Sequence, residues 1–190
     1  MIKRALAGVA LIAITGVLAW LLFRALPRWY GPATTRAVAA TQATAPAPPG
    51  RKIKAHLYYV NDEGTRLTAV ERDVAYGETP VQQAREIVSA QLEPVAEPLV
   101  SAIPAGTRLR ALFITEKGDA YVDLSPEVAS AHPGGTLNEL LTVYTIVDVL
   151  TTNLPAVTAV QVLIDGKEVD TLAGHVELRR PLAKNETWVQ

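Results

Sequence analysis

Residues 136–152 read TLNELLTVYTIVDVLTT. Wound as a helix, this stretch is apolar around most of its circumference, through Leu137, Leu140, Leu141, Val143, Tyr144, Ile146, Val147, Val149 and Leu150. Only a narrow polar stripe remains, through Asn138, Thr142, Thr145, Asp148 and Thr152. A helix apolar nearly all round is buried, so a central helix over about 137–152 is expected to lie against a sheet. Thr136 and Glu139 have the spacing of a capping box. Pro133-Gly134-Gly135 precedes the helix and Pro155 follows it.

Working outward, the flanking segments supply strands. Residues 107–115 (TRLRALFIT) and 120–124 (AYVDL) flank a Glu116-Lys117-Gly118-Asp119 turn and read as a hairpin. Ser125-Pro126 opens a short helix. Residues 159–164 (AVQVLI) form a strand closed by Asp165-Gly166, and residues 168–172 return beside it. Residues 53–60 (IKAHLYYV) and 66–74 (RLTAVERDV) pair across Asn61-Asp62-Glu63-Gly64. Thr79-Pro80-Val81-Gln82 starts another helix, with a capping threonine, proline in the first turn and a reciprocal glutamine. Its inner face carries Val81, Ala84, Val88 and Leu92, which leaves Gln83, Arg85, Glu86 and Gln91 for solvent. Pro94 and Pro98 end it. The order β-β-α-β-β-α-α-β-β predicts an α+β domain: a mostly antiparallel sheet with two main helices packed on it.

The 190 residues carry 18 Lys+Arg and 19 Asp+Glu, and the charge is unevenly spread. Residues 1–50 hold Lys3, Arg4, Arg24, Arg28 and Arg36 and no acidic residue; the remainder, with 13 basic and 19 acidic residues, has a net charge of −6. An acidic body argues against nucleic acid as a partner. With no cysteine, disulfides, thiolate metal sites and a lipid-modified cysteine are excluded. Residues 5–23 (ALAGVALIAITGVLAWLLF) contain no charge. As a helix they span about 28 Å, near the roughly 30 Å of a hydrocarbon core. The run is long for a cleaved signal peptide and Ala37-Val38-Ala39 lies far downstream, so it reads as one uncleaved transmembrane signal-anchor, N-terminus inside. Residues 1–30 form this anchor and residues 31–52 an Ala/Thr/Pro linker. The folded domain covers 53–183, followed by a tail over 184–190.

Catalytic groupings are absent from the sequence. His56, His132 and His175 form neither H-x-x-x-H nor H-E-x-x-H, and no P-loop, G-x-G-x-x-G or G-x-S-x-G occurs. No catalytic, cofactor or metal residue is assigned. Asp119 and Asp165 read as turn residues, and Asp123 as a carboxylate at a helix start. Three residues stand as candidate contacts for a ligand or partner: His175 in Thr171-Leu172-Ala173-Gly174-His175, Asp123 at the end of its strand, and Tyr76. Tyr58, Tyr59, Tyr121 and Trp188 join Tyr76 as rings for a wall-ligand platform. A hydrolase would have to be built on Asp123, Asp165 or His175.

Several strings share an order and spacing: Leu57-Tyr58-Tyr59-Val60, Val70-Glu71-Arg72, Ser101-Ala102-Ile103-Pro104-Ala105-Gly106-Thr107, Tyr121-Val122-Asp123-Leu124-Ser125, and Val160-Gln161-Val162-Leu163-Ile164-Asp165-Gly166-Lys167. Together they resemble the GerMN domain family of bacterial sporulation and spore-germination proteins, over residues 53–182. The resemblance implies a small non-catalytic module on the outer side of the cytoplasmic membrane, serving protein assembly; the single span over 5–23 is this sequence's own departure from the family pattern. An envelope protein is the expected partner. Cell-wall glycan or peptide is the alternative, and an envelope hydrolase the third reading.

Overall fold

Polar side chains, and not only strands, complete the sheets of this domain. The computed structural model describes residues 50–190. The anchor over 5–23 and most of the linker lie outside the described residues. Among the described residues, no helix is long and apolar enough to cross a membrane.

Strands β1 (Lys52–Val60) and β2 (Leu67–Ala75) form an antiparallel hairpin. Helix α1 (Pro80–Leu92) follows, opened as expected: Thr79 Oγ1 accepts from Gln82 N, and Gln82 Oε1 accepts from Thr79 N. Then come β3 (Leu109–Ile114), β4 (Asp119–Leu124), the short α2 (Glu127–Ser130), α3 (Thr136–Asn153), β5 (Ala159–Ile164), β6 (Lys167–Glu168) and β7 (Leu182–Ala183). The hairpin between β5 and β6 turns through Asp165 at φ 53° and Gly166 at φ 75°. Both angles are left-handed, as a two-residue hairpin loop requires.

The expectation of one mostly antiparallel sheet is corrected. The described strands make two sheets, β1-β2 and β3-β4-β5-β6 with β7 also on β5. At the centre of the larger one, β4 and β5 run parallel over six residue pairs, from Asp119–Ala159 to Leu124–Ile164. The reason lies between them in the chain. A parallel pair needs a long crossover, usually helical, and α2 and α3 supply it. The predicted strand over 168–172 is also shorter: β6 ends at Glu168.

Helix α3 is buried, as its apolar circumference requires. Leu141, Val143, Ile146, Val147, Val149 and Leu150 are almost without solvent contact. It packs on β1 and β5, while α1 packs on β1, β2 and β3, so the two helices join the sheets through one core. The middle of its polar stripe is buried too: Thr142, Thr145 and Asp148 are fully covered, while Asn138 is exposed. The expected capping box does not form. Gly135 is the N-cap, and Glu139 turns inward instead.

Gln83 and Gln91 were expected to face solvent, and both are buried. Each amide acts as a strand partner. Gln91 accepts from Tyr58 N and donates to Tyr58 O, both at 2.8 Å. Asn153 does the same for His56, again at 2.8 Å each way. Val60 N donates to Val100 O at 2.8 Å. The outer edge of β1 is thus satisfied at residues 56, 58 and 60, where an open edge would invite aggregation. Gln83 closes the end of β2, donating to Ala75 O and accepting from Gly77 N.

Candidate functional site

The three residues singled out by sequence lie in different places, and each is held by a neighbour. Asp123 ends β4. Its Oδ1 accepts from Gly166 N at 2.7 Å and its Oδ2 accepts from Arg110 Nε at 3.2 Å. Arg110 also pairs with Asp165. The hairpin turn between β5 and β6 is therefore fastened to the end of β4 by a buried carboxylate. Asp123→Asn is expected to lower stability by about 1 kcal/mol, since it weakens a charge-assisted pair; a urea melt checks it.

His175 lies elsewhere, in the loop before the C-terminal segment. Its backbone N–H and its ring Nδ1 reach Glu139 Oε2, at 2.8 and 3.1 Å. Glu139 Oε1 accepts from Leu172 N and Ala173 N, both at 2.9 Å. The carboxylate is fully buried. Burial by itself would raise its pKa, but the N–H groups of Ala173, His175, Val176 and Leu172 outweigh that and hold it below the ordinary 4.5. The Thr171–His175 string, unexplained in the sequence, is the loop folded around this one charge. Tyr76 is half-buried, with the Arg51 guanidinium 3.5 Å above its ring.

The structure brings Asp123 and Asp165 to one arginine and places His175 with Glu139. His132 bonds Thr142 Oγ1 and accepts from Gly134 N. Among the described residues, no group of three His, Asp or Glu is arranged to hold a metal. Of the proposed platform rings, Tyr58 and Tyr59 are buried in the core. Tyr121 is half-buried and lies across from Phe113, which is 60% exposed.

Among the described residues, an open concave surface lies at the loop after α1. Leu92, Pro94, Val95, Leu99, Ile103 and Pro104 line a hollow of about 500 Å³. A second hollow, about 210 Å³, lies beside Val60, Asn138 and Leu141. The two share Val100, Ser101, Ala102 and Pro133 as their common wall. Val100 forms the ridge between them and is 56% exposed, although its carbonyl is fixed to β1. Thr142 Oγ1 donates to Ala102 O at 2.6 Å and ties this wall to α3. In the sequence, residues 93–100 read as a loop and Ser101–Thr107 as one of the strings behind the resemblance, with no candidate contact among them. The available signal was a proline-punctuated run that keeps Val95, Leu99, Val100 and Ile103 apolar outside any helix or strand.

A family model described as sporulation and spore germination, Germane, matches residues 56–170. The chain belongs to the Germane (GerMN) family. This Germane domain is similar in fold to a presumed lipoprotein from Clostridium perfringens, at 19% identity and TM-score 0.51, over 71% of this chain and 89% of that one. It is similar also to the tandem GerMN domains of the sporulation protein GerM from Bacillus subtilis, at 19% identity and TM-score 0.55. That match covers 70% of this chain and 46% of the tandem chain. The first GerMN domain of the same protein matches at 18% identity and TM-score 0.50, over 69% of this chain and 97% of that one. No curated protein matches the sequence.

Proposed function

We propose that the chain is a membrane-tethered, extracytoplasmic and non-catalytic interaction module of the bacterial envelope, which docks an envelope protein across the Val100 ridge. The observation that carries this reading is a contrast. Asp123, Glu139, His132 and His175 are bound up in holding loops, whereas Val100 projects between two apolar hollows. Exposed apolar surface beside a hollow marks a contact site. The uncharged run over 5–23 and the Pro-rich linker support tethering, which raises the local concentration of the module near its partners. The descriptions of the Clostridium and Bacillus proteins as a lipoprotein and a sporulation protein are consistent with an envelope location.

The test is affinity capture with the full chain from detergent-solubilised envelopes, using wild type and Val100→Glu. The wild type is expected to retain an identifiable protein that the variant loses. Identical capture by both would contradict docking at the ridge.

A second reading is a wall-ligand module. It is favoured by the exposed Phe113 opposite Tyr121, a ring pair open to stacking with a sugar. Co-sedimentation with purified peptidoglycan that is lost in Phe113→Ala would establish this in place of the protein-docking reading.

A further inference from the structure

The charge around the groove goes further than the groove itself. Glu93 lines the larger hollow and Glu97 sits in the same loop. Asp62 and Glu63 precede Gly64, which lines the smaller one. All four carboxylates are exposed, and among the described residues none is in an ion pair. No lysine or arginine occurs between Arg85 and Arg108. Of the basic groups nearby, Arg108 pairs with Glu127 and His132 holds Thr142 and Gly134, while Arg66, which donates to Thr187 O, and Arg72 keep their charge. The result is an apolar cleft flanked by loops in which acidic charge outnumbers basic charge.

The backbone of the ridge adds a shape constraint. Val100 makes an isolated antiparallel bridge to Val60, in the position of a third strand beside β1. In an extended strand, the neighbours of a paired residue direct their polar groups the other way. Those neighbours are Leu99 and Ser101, whose carbonyls accept no backbone hydrogen bond among the described residues. An extended segment laid along the ridge meets these acceptors together with side-chain hollows, as in strand addition.

Resting on the docking reading above, we propose that the occupant of this groove is an extended segment of a partner protein in which lysine or arginine alternates with small apolar residues. The apolar residues enter the hollows on either side of Val100. The cations face Glu93, Glu97, Asp62 and Glu63. Rim charges of this kind act chiefly on selectivity and association rate.

The test uses the full chain in an uncharged detergent and two labelled peptides of about ten residues, one alternating Lys with Val and one alternating Glu with Val. Fluorescence anisotropy at low salt is expected to show about tenfold tighter binding of the Lys/Val peptide, a preference that shrinks at about 0.5 M salt. The Glu93→Lys, Glu97→Lys double variant, with an unchanged near-ultraviolet circular dichroism spectrum, is expected to invert the preference. Equal binding, tighter binding of the Glu/Val peptide, binding of neither, or an unchanged preference in the double variant would overturn the proposal. These outcomes leave the docking reading in place if Val100→Glu still abolishes capture. Capture that survives Val100→Glu removes the docking reading itself.

Discussion

Replacing Glu139 with alanine is expected to cost the folded domain about 4 kcal/mol, the largest loss for any single side chain considered. The carboxylate is fully buried and gathers the N–H groups of Leu172, Ala173 and His175 within 2.9 Å. Removing it leaves these donors facing apolar surroundings with no acceptor. Glu139→Gln keeps the volume but turns an amide toward donors, and about 2 kcal/mol is expected to be lost. Urea unfolding at neutral pH measures both. The pH dependence follows from the sign of the shift. Folding holds the Glu139 pKa below 4.5, so its contribution is complete above that value and is lost as pH falls through the folded-state pKa.

Asp148→Asn is expected to act in the opposite direction, raising stability by about 2 kcal/mol at pH 8, by about half as much at pH 5, and changing it little below about pH 4. Asp148 lies two turns further along α3 and is also fully buried. Its Oδ1 accepts from Asn185 N at 3.2 Å, while its Oδ2 has no partner. Burial pushes its pKa from 3.8 up to about 6, against the opposing pull of the Asn185 N–H and Lys184. Here the folded-state pKa lies above the unfolded one. Stability is therefore lost as pH rises from about 4 through about 6. Ionisation in the folded state then costs about 3 kcal/mol, an upper figure that water penetration reduces. The two carboxylates of α3 thus place a stability maximum near pH 4, between 3.8 and 4.5, with Asp148 setting the decline from there to about 6. In Asp148→Asn the alkaline side of that maximum is expected to flatten; thermal melts across pH measure it.

How much of this was legible in the sequence depends on the range of each signal. The capping box at Thr79, the Asp165-Gly166 turn and the extent of α3 are written in adjacent residues, and each stands where local chemistry puts it. The roles of polar side chains on α1 and α3 were misread, because helical periodicity assigns polar residues to solvent. Gln91 is buried because a strand edge 33 residues away needs its amide, and Asn153 answers His56 across 97 residues. Glu139 was assigned to its own helix start, but its partners begin 33 residues downstream. The parallel pairing of β4 with β5 was equally hidden, since an alternating strand pattern does not encode the direction of its neighbour. Of the candidate contact residues, Asp123 and His175 stood out in the sequence and serve to fasten loops. Val100 did not stand out, because an exposed valine in a proline-rich loop carries no motif.

Site-specific photo-crosslinking in intact cells tests the central claim most directly, with a photoreactive residue placed at Val100 in one strain and at Lys167 in another. Both positions are exposed, and Lys167 lies in β6, away from the groove-lining residues. An identifiable envelope protein joined to the chain from position 100 and absent from position 167 is the predicted result. Equal adducts from both positions, or none from position 100, would contradict a docking ridge.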